Sequence, residues 1–181
     1  MEEDKSKDAI YSKQVIELFT VANEYCLFFD KAEEYSGEDI FDYFHKIAPL
    51  LYLKGSLVPP VTVQDPSYNE RYLTEERYEA LYLALKDKFG NKDAFYILNH
   101  NYEATEASIA ECMTDIYQDM KDFVWLYRNN NSFVKENGVA QIKELFENRW
   151  GIKTLNTLKA IHGIKFDIKE DHEFLDNDDI I

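Results

Sequence analysis

From Ile109 onward the chain sets Met113, Ile116, Met120, Phe123 and Tyr127 at spacings of four, three, four, three and four residues. That is the period of an α-helix with one face turned to a core. At 100° per residue the six side chains lie within about 40° of a common direction. Glu111, Asp115, Asp119 and Asp122 fall on another face, at about 200–280°. A segment of this kind cannot stand alone, because its seam must be covered by other amphipathic elements. The period predicts a helix over residues 103–129, and it raises a chemical question about the acids.

The rest of the chain supplies the covering elements. Residues 9–34 carry Val15, Phe19, Ala22, Cys26 and Phe29 at helical spacing. Residues 38–57 are apolar on nearly every side, which predicts the central helix, kinked at Pro49. Pro59, Pro60 and Pro66 mark an extended loop over residues 58–73. Thr74 caps a third helix, which ends at Gly90. Residues 91–102 read as a turn with a short helical piece at 93–98. A fifth helix is expected over 139–150 and a sixth over 152–162, with a break at Gly151 because one straight helix would scatter the apolar residues. Six glycines and four prolines are too few for a loop-rich β-sandwich. The expected fold is therefore all-α: a single-domain bundle of about six helices over residues 9–164. Residues 1–8 are expected to be a flexible N-terminus and 165–181 an acidic, mobile tail.

A net charge of −15 excludes broad classes of function. Nucleic-acid binding rests on Lys and Arg neutralising phosphates, so direct contact with nucleic acid is not expected. An anionic membrane surface is disfavoured for the same reason, and the longest apolar run, residues 47–58, is too short to span a bilayer. A basic protein, or a multivalent cation, is what such a charge attracts, and the expected partner is a basic or nucleic-acid-processing protein. The acidic start, Met1-Glu2-Glu3-Asp4, lacks the basic region of a secretion signal. Cys26 and Cys112 form no disulfide framework and are expected to be buried thiols. Both features lead to the expectation of a cytoplasmic protein; separately, it is expected to be a monomer or weak dimer.

Candidate chemistry centres on the carboxylates. Asp115 and Asp119 stand four residues apart on one helix face, as a divalent cation such as Mg²⁺ would require. Glu24, on the first helix away from its seam, is the candidate third member of an acidic or metal-binding cluster. A metal-dependent hydrolase of a nucleotide or another phosphorylated small molecule is the enzymatic reading of that cluster. The plainer reading is a solvated acidic face and no resident cofactor. His45, His100, His162 and His172 are scattered without zinc-type spacing, and no serine stands in a nucleophile elbow. Trp125, at about 160° from the seam, together with Glu111 and Asp122, marks a candidate interaction surface. An acidic, non-enzymatic protein-interaction module is the leading expectation.

Several stretches resemble the bacterial domain-of-unknown-function 5063 family. They are Thr20-Val21-Ala22-Asn23-Glu24-Tyr25-Cys26, Pro49-Leu50-Leu51-Tyr52-Leu53-Lys54, Asp115 through Phe123, Trp150-Gly151-Ile152-Lys153, and Leu158-Lys159-Ala160-Ile161-His162. The resemblance covers about residues 10–163. The sequence departs from it at Lys153 and Lys159, where the family pattern commonly has His and Arg. The resemblance implies an all-helical bacterial cytoplasmic domain and implies no activity.

Overall fold

The computed structural model describes residues 9–68, 71–98 and 101–167. Residues 1–8 and 168–181, which include most of the expected acidic tail and His172, lie outside the described residues, as does His100. Six α-helices are present among them: α1 (Lys13–Phe29), α2 (Gly37–Ser56), α3 (Glu75–Phe89), α4 (Ile109–Arg128), α5 (Ser132–Leu145) and α6 (Gly151–Phe166). The expected all-α single-domain bundle is what the chain forms, with one small addition. Between α3 and α4 stand two antiparallel strands, β1 (Ala94–Leu98) and β2 (Ala104–Ser108).

The 109–127 seam holds as the sequence predicts, but α4 begins at Ile109 and not at 103. Two residues fix that start. Ser108 accepts the Glu111 backbone N–H through its hydroxyl at 3.1 Å, and buried Asp93 accepts the Ala110 N–H through its carboxylate at 2.8 Å. The Asp93 carbonyl takes the Ile109 N–H at 2.9 Å. Three of the donors that a helix start leaves unpaired are thus satisfied. Residues 104–108 are held instead against β1, with Tyr96 opposite Glu106 and Leu98 opposite Ala104. The helical piece expected at 93–98 is a strand for the same reason. Phe95 and Ile97 alternate inward while Tyr96 and Leu98 point out.

The central helix is α4 rather than α2. Fourteen of its 20 residues are buried, and it packs on α1, α3, α5 and α6. In α2 only Ile40, Phe41, Phe44, Ala48, Leu51 and Gly55 are buried, while Leu50, Leu53 and, just beyond, Leu57 are exposed. Apolar residues on every side of a helix permit burial on every side without enforcing it. Pro49 lies on the exposed face within an unbroken helix, so the hydrogen bond its ring removes faces water.

Helix α5 starts earlier than expected, at Ser132, where the Asn131 side chain caps it by accepting the Phe133 N–H. The irregularity expected at Gly151 is a π-helical turn over Phe146–Trp150 that joins α5 to α6. It swings Trp150 fully inside, where its indole N–H donates to the Ile142 carbonyl at 3.0 Å. Gly55 of α2 makes room for that ring. A Cβ at residue 55 would overlap Trp150 and would stand 2.8 Å from the Phe146 ring. Other buried polar tips are satisfied likewise. Tyr25 donates to the Met113 carbonyl and Tyr127 to the Ile10 carbonyl.

The Gly55–Trp150 fit makes a stability prediction. Gly55→Ala should lower the unfolding free energy by about 2 kcal/mol, the usual cost of overpacking a filled core. Urea unfolding measures it. In a Trp150→Phe background the same substitution should cost much less. An equal cost in both backgrounds would remove the close approach as its cause.

Candidate functional site

The acids of α4 do not form a solvated face. Helix α3, the π-turn and the start of α6 cover it, and each inward carboxylate meets a partner. Asp115 accepts the Tyr78 hydroxyl at 2.8 Å through Oδ1 and the Lys153 ammonium through Oδ2. Asp119, only 2% exposed, takes both arms of the Arg149 guanidinium fork, Nε at 3.0 Å and the terminal Nη2. Asp122 is buried too, and its Oδ1 accepts the backbone N–H groups of Tyr72 and Leu73, each at 2.9 Å. Glu111, in the first turn of α4, is the exposed member of the ladder.

Burial sets the electrostatics of this row. It pushes the Asp119 carboxyl up to about 6, against the opposing pull of Arg149, and neighbouring Asp115 and Asp122 add to the rise. Burial likewise raises Asp122, opposed by the two backbone donors. The Tyr78 hydroxyl is raised by its own burial and by donating to Asp115. Both Asp115 oxygens and both Asp119 oxygens are engaged by protein donors.

The sequence-derived candidates therefore separate. Glu24 is exposed on α1, where its charge adds to the rise that burial gives the Tyr43 hydroxyl of α2. It does not join Asp115 and Asp119. Among the described residues no group of three or more His, Cys, Asp or Glu side chains is arranged to hold a metal ion. Trp125 is half-buried and stacks on Tyr72 of the 58–73 loop, with ring centroids 5.6 Å apart. Asp122 ties down the same loop from beneath, while Glu111 stands nearly four turns away along α4. These three side chains do not compose one surface. Cys26 and Cys112 are buried, and burial raises both thiols, Cys26 to about 12. Neither is poised as a nucleophile.

Three features escaped the sequence. The 58–73 loop is pinned by buried polar side chains: Glu136 accepts the Gln64 N–H, Asn137 donates to the Asp65 carbonyl, and Asp122 holds residues 72 and 73. His45 of α2 and His162 of α6 meet at 3.2 Å between ring nitrogens, beside Phe166. Asp30, at the end of α1, accepts Tyr117 at 2.6 Å and Lys121 at 2.7 and 2.6 Å. Each joins residues at least 49 apart in the chain, beyond the reach of any local spacing. The hairpin itself presents Tyr96, Leu98 and Tyr102, which are 66%, 70% and 85% exposed.

The Asp119–Arg149 pair makes a pH prediction. The folded carboxyl titrates near 6 and an unfolded Asp near 4. Between those values the folded state holds the extra proton, so this group's contribution to stability declines as pH rises from about 4 to about 6 and is level above. Arg149→Met removes the opposing cation, lifts the carboxyl further and carries the decline past neutrality. The variant should lose about 3 kcal/mol at pH 8 and about 1 kcal/mol at pH 5. Urea unfolding at both pH values measures the difference. Equal losses would mean that Arg149 does not hold Asp119 in its charged form.

The comparisons with known proteins agree with this architecture. The chain superposes on the crystal structure of protein BF1032 from Bacteroides fragilis, a structural genomics target, with a TM-score of 0.80 and 35% identity. The match covers 90% of this chain and 98% of that one. No curated protein matches it. The sequence model of the family described as "Domain of unknown function (DUF5063)" matches residues 9–167. The chain belongs to that family.

Proposed function

We propose that this domain is a non-enzymatic, acidic protein-interaction module of the bacterial cytoplasm, docking on a basic or nucleic-acid-processing protein. The observation that carries the reading is the hairpin. A two-stranded sheet is marginally stable by itself in water, and this one holds Tyr96, Leu98 and Tyr102 out in solvent. Large exposed aromatic and aliphatic side chains grouped on one projection mark an interface. The net charge of −15 selects a partner of opposite sign and speeds its approach. No helix among the described residues is long and apolar enough to cross a membrane. The metal-dependent reading draws no support from the geometry, since Glu24 stands apart and the oxygens of Asp115 and Asp119 are already taken.

A photo-crosslinking group at position 98 tests this in the native cytoplasm. It should capture a basic protein, with yield falling at least tenfold in 0.5 M salt. In direct binding to the captured protein, Leu98→Asp and Tyr96→Thr should each weaken affinity about tenfold, while leaving the melting temperature in place because both side chains are exposed. Capture of nothing, or only of acidic proteins, would overturn the reading. So would a rise of several degrees in melting temperature with millimolar Mg²⁺ that Asp115→Asn and Asp119→Asn abolish, which would restore the hydrolase.

A further inference from the structure

A two-stranded sheet leaves the outer edge of each strand without a main-chain partner, and the phase of this hairpin fixes which groups of β1 face outward. The register pairs Ala94 with Ser108 through to Leu98 with Ala104, and the Asp93 carbonyl accepts the Ile109 N–H at 2.9 Å. Hydrogen-bonded pairs alternate along an antiparallel ladder. Counting from Asp93, it is Phe95 and Ile97 that bond across to Ala107 and Thr105. The N–H and C=O groups of Ala94, Tyr96 and Leu98 therefore turn away from β2. All three residues are exposed, and among the described residues no other helix or strand runs along that side of β1.

Natural sheets blunt such an edge with a charged side chain, a proline or a bulge. Residues 94–98 read Ala-Phe-Tyr-Ile-Leu, with neither charge nor proline, and the register runs through them without a bulge. An edge kept flat, apolar and open is a template for another extended chain. We infer that the partner docks by laying an extended, cationic segment antiparallel along β1 as a third strand. The inference rests on the docking function proposed above and specifies its form. Main-chain bonds to Tyr96 and Leu98 give the hold, and the side chains of the added strand alternate between the two faces. On the exposed face the Tyr96 hydroxyl donates to Glu106 Oε2 at 3.3 Å, so the ring leads across the sheet to a carboxylate. An arginine opposite Tyr96 covers that ring with its guanidinium and points its charge at Glu106. A second copy of this chain fits less well, because its own β1 carries no cation and each copy brings a net charge of −15.

The probe is the peptide acetyl-Lys-Val-Thr-Arg-Val-Lys-amide, whose second, fourth and sixth residues fall opposite Leu98, Tyr96 and Ala94. At ten times its dissociation constant, hydrogen exchange at the Tyr96 and Leu98 amides, followed by NMR, should slow about tenfold. N-methylation of the peptide's arginine, whose N–H faces β1, should weaken binding about tenfold, and N-methylation of its threonine, whose N–H faces away, by less than about twofold. Glu106→Gln, at an exposed position, should weaken this peptide about threefold and leave a version with glutamine in place of arginine unaffected. Repeating the exchange measurement on the complex with the protein captured at position 98 separates the two readings. A captured basic protein that leaves the Tyr96 and Leu98 amides exchanging freely would overturn strand pairing while the docking function stands. Three peptide results would also overturn it: no protection of these amides at millimolar peptide, equal losses from the two N-methylations, or the same protection on concentrating the protein alone, which would make a second copy the occupant.

Discussion

A helix packed on four sides cannot carry a row of carboxylates unless the neighbouring elements bring donors to meet them. Helix α4 is in that position, and much of the bundle's geometry follows from how its acids are met. Asp115 needs Tyr78 from α3 and Lys153 from α6. Asp119 needs Arg149 from the π-turn. Asp122 needs two backbone N–H groups at the end of the long loop. Apolar packing alone would let these elements slide or rotate on the α4 seam at modest cost. An unmet carboxylate in the interior costs several kcal/mol. The acids therefore act as addresses, each accepting one neighbour in one register. The π-turn fits this account. It adds a residue to the helical path just where Arg149 must reach Asp119 and Trp150 must reach the space beside Gly55.

The apolar seam was legible because helical period and side-chain polarity are local properties. The positions from Ile109 to Tyr127 carry them without help from the rest of the chain. The fate of the acids was not local. Arg149 and Lys153 stand 30 and 38 residues from their partners, and an angle on a helical wheel says nothing about what stands opposite. The start of α4 was misplaced for a related reason. Glu103 to Ser108 reads as good helix, and only the pairing with 94–98 and the carboxylate of Asp93 stop the helix at Ile109. The change of phase between residues 139–150 and 152–162 was readable as a break. Its location within 146–150 depended on Trp150 finding its slot. The family resemblance, read from short motifs that lie along α1, α2, α4 and α6, is matched by the family model over residues 9–167, and the helical fold it implies is the one formed.

The proposed surface differs from the Trp125 surface read in the sequence for the same physical reason that the acidic ladder closed. Trp125 had the composition of an anchor, but Tyr72 comes back along the pinned loop and stacks on it. A large ring half-covered by its own chain has less apolar area to offer a partner. The hairpin has no such cover. Tyr96, Leu98 and Tyr102 project from a connection that the periodicity of the chain had made look unimportant.

In the proposed docking, charge and apolar contact divide the work of association between them. Lys153, Arg149, Lys121 and Lys54 are each engaged with a carboxylate of the protein itself. Fixed pairs of this kind have nearly cancelling fields at a distance, so a partner meets the excess of unpaired acids. A long-range field of this sign attracts a basic surface and repels an acidic one. It supplies little adhesion once water is excluded, because exposed ion pairs contribute weakly. Adhesion has to come from apolar side chains that lose their water on contact, and the hairpin tips provide them. The proposed docking thus draws its selective attraction from the anionic body and its short-range hold from the exposed hairpin side chains, two different parts of the chain.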